Sequence, residues 1–85
     1  MTDKITIPEE FKDIIKVLEN GAEKYGADSW LEPGGLDFEA NHDSMSHHLL
    51  DSAMGKTEDK DSELHPLLHL ACRALMGYTL WKRGI

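Results

Sequence analysis

The sequence predicts an all-α fold, a small bundle of about three helices completed by oligomerisation. Three observations carry that expectation. Apolar residues recur at three- and four-residue steps in three separate stretches. Capping residues and glycines bracket those stretches. The chain has 85 residues and a mass of 9.6 kDa, the length of one domain, so residues 1–85 are read as a single helical unit.

The first helix is announced by Thr6 and Glu9, which have capping-box spacing, and by Pro8 in the first turn. Phe11, Ile14, Ile15, Leu18, Ala22 and Tyr25 then form one apolar stripe. Gly26 terminates it, unless Gly21 ends it earlier. From Ala27 to Ala40 the periodicity breaks around Pro33, Gly34 and Gly35, and Trp30 is a large aromatic in a polar segment. A connection of that length is either a functional loop or a tether whose Trp30 plugs the end of the core.

A second helix is expected from near His42 to Met54. Asn41, Asp43 or Ser44 would cap it, Met45, Leu49, Leu50 and Ala53 would face inward, and Gly55 would end it. Lys56 to Asp61 reads as a charged, solvated loop. The third helix carries Leu64, Leu67, Leu68, Ala71, Leu75 and Tyr78 as its inward stripe, with Met76, Leu80 and Trp81 outside it. Lys82 and Arg83 suit the negative end of its dipole, and Gly84 closes it. Its start has two solutions, because Pro66 disfavours helical geometry at His65. Either Asp61 or Ser62 caps a first turn containing Pro66, or His65 is the last non-helical residue.

Composition narrows the function. Sixteen acidic residues against nine basic give a net charge of −7, which excludes a general nucleic-acid binder, since phosphate contacts need a basic footprint. No window is apolar enough to span a membrane, and the opening MTDKITIPEE lacks the regions of a signal peptide. The single Cys72 rules out an intrachain disulfide and suggests a reducing compartment, so a cytoplasmic location is expected. Because a chain of this size buries only about 60% of its unfolded surface, self-association or a bound metal is expected to supply the missing stability.

Five histidines in this short chain offer the chemistry. With an early helix start, His65, His69 and Arg73 follow one another at i, i+4 on one face. Two imidazoles one turn apart can chelate a divalent metal or join a guanidinium on phosphate. Asp59, Asp61 and Glu63 lie just upstream as hard oxygen donors for magnesium or manganese. The same histidines can equally be hydrogen-bonded residues at the edge of the core. H-x-x-x-H without the glutamate of H-E-x-x-H is a short signal. His47 and His48 diverge by about 100° on a helix, so only one can share a face with Met45 and Leu49. Cys72, beside the apolar stripe, reads as a packed thiol. No Walker loop, G-x-G-x-x-G or G-x-S-x-G is present.

The order of residues resembles one family. Lys24-Tyr25-Gly26 is followed by Trp30. A Ser-containing helix carries His48-Leu49-Leu50. A Gly55 turn then leads into Asp59-x-Asp61-Ser62-x-Leu64-His65-x-x-x-His69. This is similar to the phage-associated dATP/dGTP diphosphohydrolase N-terminal family, over about Ala22 to Met76. The resemblance implies an all-α nucleotide pyrophosphohydrolase-like protein that removes diphosphate from purine deoxynucleoside triphosphates with a divalent metal, magnesium or manganese. It implies that Tyr25 and Trp30 shape the base and sugar pocket, with Lys24 in the same motif. His48, His65 and His69 would line the phosphate and metal end, and Asp59 and Asp61 would be the metal-side carboxylates. Asp61, His65 and His69 are the catalytic candidates, one of them accepting a proton from the attacking water. Arg73 joins the ligand-binding set through its helical spacing alone.

The sequence also departs from the pattern. Asp61-Ser62-Glu63-Leu64 stands where Glu-Ser-Gly-Leu or Glu-Thr-Gly-Leu is expected, and His47 stands where arginine is common. Of the E-x-x-E and E-x-x-D pairs of related pyrophosphohydrolases, Glu58 to Asp61 matches the second, while Glu19 to Glu23 is one residue too wide for the first. An incomplete carboxylate set favours the alternative of a non-catalytic small acidic phage protein. Such a protein would sequester a nucleotide-like ligand or dock on a host defence or replication protein. A purely structural helical module is the third reading.

Overall fold

Pro8, with its fixed φ, starts the helical part of the chain, and the computed structural model describes residues 4–85 around it. A short 3-10 turn, Glu9–Asp13, runs into α1, Ile14–Tyr25. No side chain caps that turn, so the expected Thr6–Glu9 capping box does not form. Gly26, at φ 93°, ends α1 as expected, and Gly21 lies inside it.

The connection that follows is ordered by its own backbone. A 3-10 turn spans Ser29–Leu31, and the N–H of Gly35 donates to the carbonyl of Glu32 at 2.8 Å. A side chain at Gly35 would run into the Ser29 carbonyl, so the loop closes only on glycine there.

The second helix, α2, spans Phe38–Ala53 and begins four residues before the expected start. Asp37 is its cap, accepting from the Ala40 N–H at 2.9 Å. Asn41, Asp43 and Ser44 therefore lie within α2 and do not cap it. Leu49, Leu50 and Ala53 are exposed, against expectation, while Met45 and His48 are half-buried.

The last helix, α3, spans Pro66–Arg83, and His65 takes the second of its two expected roles. Its Nδ1 accepts from the Leu67 N–H at 3.0 Å and caps the helix, with Pro66 in the first turn where no N–H is needed. Gly84 closes α3 in the left-handed conformation. The face turned inward is not the one predicted. Pro66 and Cys72 are buried and Leu68 and Met76 are half-buried, whereas Leu67, Leu75 and Tyr78 are more than half in solvent or close to it. Because α3 is apolar nearly all round, its periodicity does not select one face.

The architecture is an α2–α3 pair with α1 laid against α3. Among the described residues there are three α-helices and no strand. None of these helices is long and apolar enough to cross a membrane.

The loop between α2 and α3 holds one residue in a costly conformation. Glu63 has φ 63°, the left-handed region that L-residues adopt at about 1–2 kcal/mol. This is the position where the resemblance leads one to expect glycine. Glu63→Gly is therefore expected to raise stability by about 0.5–1 kcal/mol and the melting temperature by a few degrees. A thermal melt that is unchanged or lowered would contradict it.

Candidate functional site

An open cleft of about 1050 Å³ lies between α1 with its following loop and the α2–α3 pair. Lys24, Tyr25, Trp30, His48, Asp59, Asp61, His69 and Arg73 all line it. His65 does not. Its ring caps α3, so the run His65, His69, Arg73 is not a continuous helical face.

The imidazole of His48, on α2, stacks on that of His69, on α3, with centroids 4.7 Å apart and planes inclined by 15°. The adjacent loop supports this pair. Oδ2 of Asp59 accepts from the backbone N–H groups of Asp61 and Ser62, each at 3.1 Å, and from Ser62 Oγ at 3.4 Å. The Asp59 N–H donates to the Leu64 carbonyl, and the Glu63 N–H donates to the Asp59 carbonyl, which closes the loop. Ser62 Oγ lies 2.6 Å from Nε2 of His69 and also accepts from the Leu64 N–H. Asp59 Oδ2 is 4.0 Å from the same ring nitrogen.

Burial disfavours the charged form of both rings. Desolvation lowers the pKa of His48 and His69 below the ordinary 6.5, Arg73 adds to the effect, and the Asp59 carboxylate only partly offsets it. Asp59 is itself desolvated, yet hydrogen bonds from Ser62 and Asp61 and the nearby imidazoles keep its carboxyl below 3.8. Nδ1 of His48 is buried without a hydrogen-bond partner, which the neutral ring tolerates better than the charged one.

A pH dependence follows. With folded pKa values below 6.5, the unfolded chain binds more protons as the pH falls past 6.5. The stability these two rings contribute is present above 6.5 and is lost between 6.5 and their folded values. Asp59 acts in the same sense lower down, with its share present above 3.8 and lost as the pH falls through its folded value. The urea midpoint is expected to fall from pH 7 to pH 5. A midpoint that is flat or rises over that range would overturn the account.

Across the cleft floor, Arg73 is held by Asn41. Its guanidinium donates to Asn41 Oδ1 at 3.2 Å, and Asn41 Nδ2 donates back to the Arg73 carbonyl at 3.1 Å. Asn41 is only 2% exposed. Gly77 makes room for it, since a Cβ there would sit 3.2 Å from the amide nitrogen. Trp30 lines the cleft and, with Ile14, Leu18, Cys72 and Met76, also lines a small neighbouring groove. Burial pushes the Cys72 thiol up, as expected for a packed thiol.

The family model described as dATP/dGTP diphosphohydrolase, N-terminal, matches residues 2–85. The chain belongs to that family. Neither the curated proteins nor the solved structures provide a match.

A divalent metal is what this family's chemistry implies, so the donor set is the test. Among the described residues no three His, Cys, Asp or Glu side chains converge on a point that could hold a metal ion. Of the expected set Asp59, Asp61, His65 and His69, three side chains are engaged in framing the site, and Asp61 contributes only its backbone N–H. Asp59 Oδ2 serves three donors, Ser62 occupies His69 Nε2, and the α3 backbone occupies His65 Nδ1. These residues do not form a ready metal cage. Sequence reasoning assigned no site role to Asn41 or Ser62. Asn41 lies 32 residues from Arg73 and gave no local signal, whereas Ser62 sits inside the recognised motif.

Proposed function

We propose that the cleft binds a purine deoxynucleoside triphosphate, as the nucleotide site of a diphosphohydrolase. The observation that supports this most is the convergence of two basic side chains, Lys24 and Arg73, with the stacked His48 and His69 and the aromatic residues Tyr25 and Trp30. The basic groups and imidazoles offer donors to phosphate oxygens, and the aromatic faces offer a surface for a base. Burial lowers the pKa of His48 and so favours the uncharged ring, the form that can accept a proton from water, whereas Nε2 of His69 is engaged by Ser62.

Charge sets a condition on this proposal. Six carboxylates but only two permanent cations line the cleft, on a chain of net charge −7. A bare triphosphate meets repulsion there. In this proposal magnesium or manganese arrives with the nucleotide, neutralising it, and the exposed Asp61 and the largely buried Asp59 are the carboxylates on that part of the lining.

Sequestration without turnover is the alternative, favoured by the absence of three converging metal donors among the described residues. Diphosphate release and equilibrium binding, measured on purine deoxynucleoside triphosphates with magnesium, manganese or chelator, separate the two. Metal-dependent release that is lost in a folded Arg73→Ala variant supports the enzyme. Binding without release supports the sequestering protein, and neither binding nor release overturns both.

A further inference from the structure

We propose that Ser62 is a positioning residue: it fixes His69 in the Nδ1–H form and so makes that ring a hydrogen-bond donor to the phosphates of the nucleotide. The inference rests on the reading of the cleft as a nucleotide site. It divides the two stacked imidazoles into a donor and a proton acceptor.

A neutral imidazole has one N–H and one bare nitrogen, and the partner of either nitrogen decides which is which. For His69 that partner is Ser62 Oγ, 2.6 Å from Nε2. Either Nε2–H donates to Oγ, or the hydroxyl donates to a bare Nε2. The distance favours the hydroxyl, because N–H donors hold oxygen at about 2.7–3.2 Å and hydroxyl donors work at about 2.5–3.0 Å. Ser62 has one proton to give, and its branch to Asp59 Oδ2 is long at 3.4 Å. That oxygen already accepts two backbone N–H groups at 3.1 Å. An Nε2–H form would leave the hydroxyl proton on this long branch alone. The Leu64 N–H donates to Oγ at 3.1 Å, so the loop backbone fixes where the hydroxyl stands.

With Nε2 bare, the N–H of His69 is at Nδ1. No described residue accepts from it, and it is open to solvent, since the buried side-chain polar atom without a partner among these residues is Nδ1 of His48. The open space that His69 lines is the cleft. His48 is the converse case. Its Nδ1 is buried, so Nε2 is the nitrogen it can offer there.

The choice of form matters because the ligand is an anion. A lone pair turned toward a phosphate oxygen repels it, and an N–H attracts it. In a lining with six carboxylates and two permanent cations, a fixed neutral donor adds attraction without first taking a proton from solvent. His69 then binds, and His48 is the ring left to accept a proton from water.

The experiment has two readouts on the full chain above pH 7. Imidazole nitrogen NMR spectra without ligand report which nitrogen of His69 carries the proton. Wild type is expected to show Nδ1–H. Ser62→Ala is expected to move His69 toward Nε2–H, and Ser62→Thr, which keeps the hydroxyl, to restore Nδ1–H, with the fold checked by circular dichroism. A wild-type His69 in the Nε2–H form overturns the proposal outright, even should Ser62→Ala fail to fold. So does an Nδ1–H form that persists in folded Ser62→Ala, since something other than Ser62 then fixes it. Titration with dGTP and magnesium is the second readout. Binding is expected to shift the Nδ1–H signal of His69, and to be about fivefold weaker in Ser62→Ala, as fewer rings stand in the competent form. Binding that leaves the signal in place, or is equal in the two proteins, overturns the donor role. If dGTP does not bind wild type, the nucleotide reading fails and the donor role with it, whereas the form of His69 is decided by the ligand-free spectra.

Discussion

Asn41→Ala is expected to lower the stability of the chain by about 2–3 kcal/mol, because it leaves two partners unsatisfied at once. The Arg73 carbonyl loses the donor at 3.1 Å, and the guanidinium loses the acceptor at 3.2 Å. Both groups are partly buried, so water does not fully replace what is lost. For a domain of this size the melting temperature should fall by about 10–20 °C. The same change frees Arg73 to move in the cleft, so nucleotide affinity should fall even where the protein is still folded. Arg73→Ala distinguishes the two effects, since it removes the cation but leaves Asn41 able to donate to the carbonyl. It should weaken binding at least as much while lowering stability less. A melt of Asn41→Ala within a few degrees of wild type would remove Asn41 as the anchor of Arg73.

Asn41 also shows why parts of the site were hidden in the sequence. The helices, their glycine stops and the Asp59–His69 segment follow local rules of spacing and capping, and these were legible. Of the nine residues the sequence singled out, eight line the cleft, a minority of its lining. The orientation of α3 was not legible, because leucines, alanines and aromatics surround it and 3.6-residue periodicity then has no single solution. Tertiary packing on α2 decides it, turning Cys72 inward and leaving Leu67 and Tyr78 outside. The start of α2 was misread for a related reason. Asp37 has the cap, but it follows a Pro-Gly-Gly turn, and three later residues were equally good capping types. Nor did spacing decide between the two starts of α3. That choice determines whether His65 belongs to the cleft or to the helix end.

Asp59 is the residue for which a framing role and a chemical role can be separated most sharply. Its Oδ2 gathers two backbone N–H groups and the Ser62 hydroxyl, and Ser62 in turn reaches His69. Asp59→Ala is expected to lower stability by about 2 kcal/mol, since charge-assisted acceptors at a loop closure count for more than neutral ones. It should also release Ser62 from the imidazole. Asp59→Asn keeps an oxygen for the same N–H groups and removes only the charge, so most of the stability should return. Its effect on the imidazoles has a definite sign. The Asp59 carboxylate raises the pKa of His48, together with Asp51, and that of His69 against desolvation, so in Asp59→Asn both rings should titrate at still lower pH by NMR. If the carboxylate also faces a cation carried by the nucleotide, binding in magnesium should fall toward its level in chelator while the fold is kept. Full magnesium-dependent binding in Asp59→Asn would reduce Asp59 to the frame of the loop and leave Asp61 as the carboxylate at the mouth of the cleft.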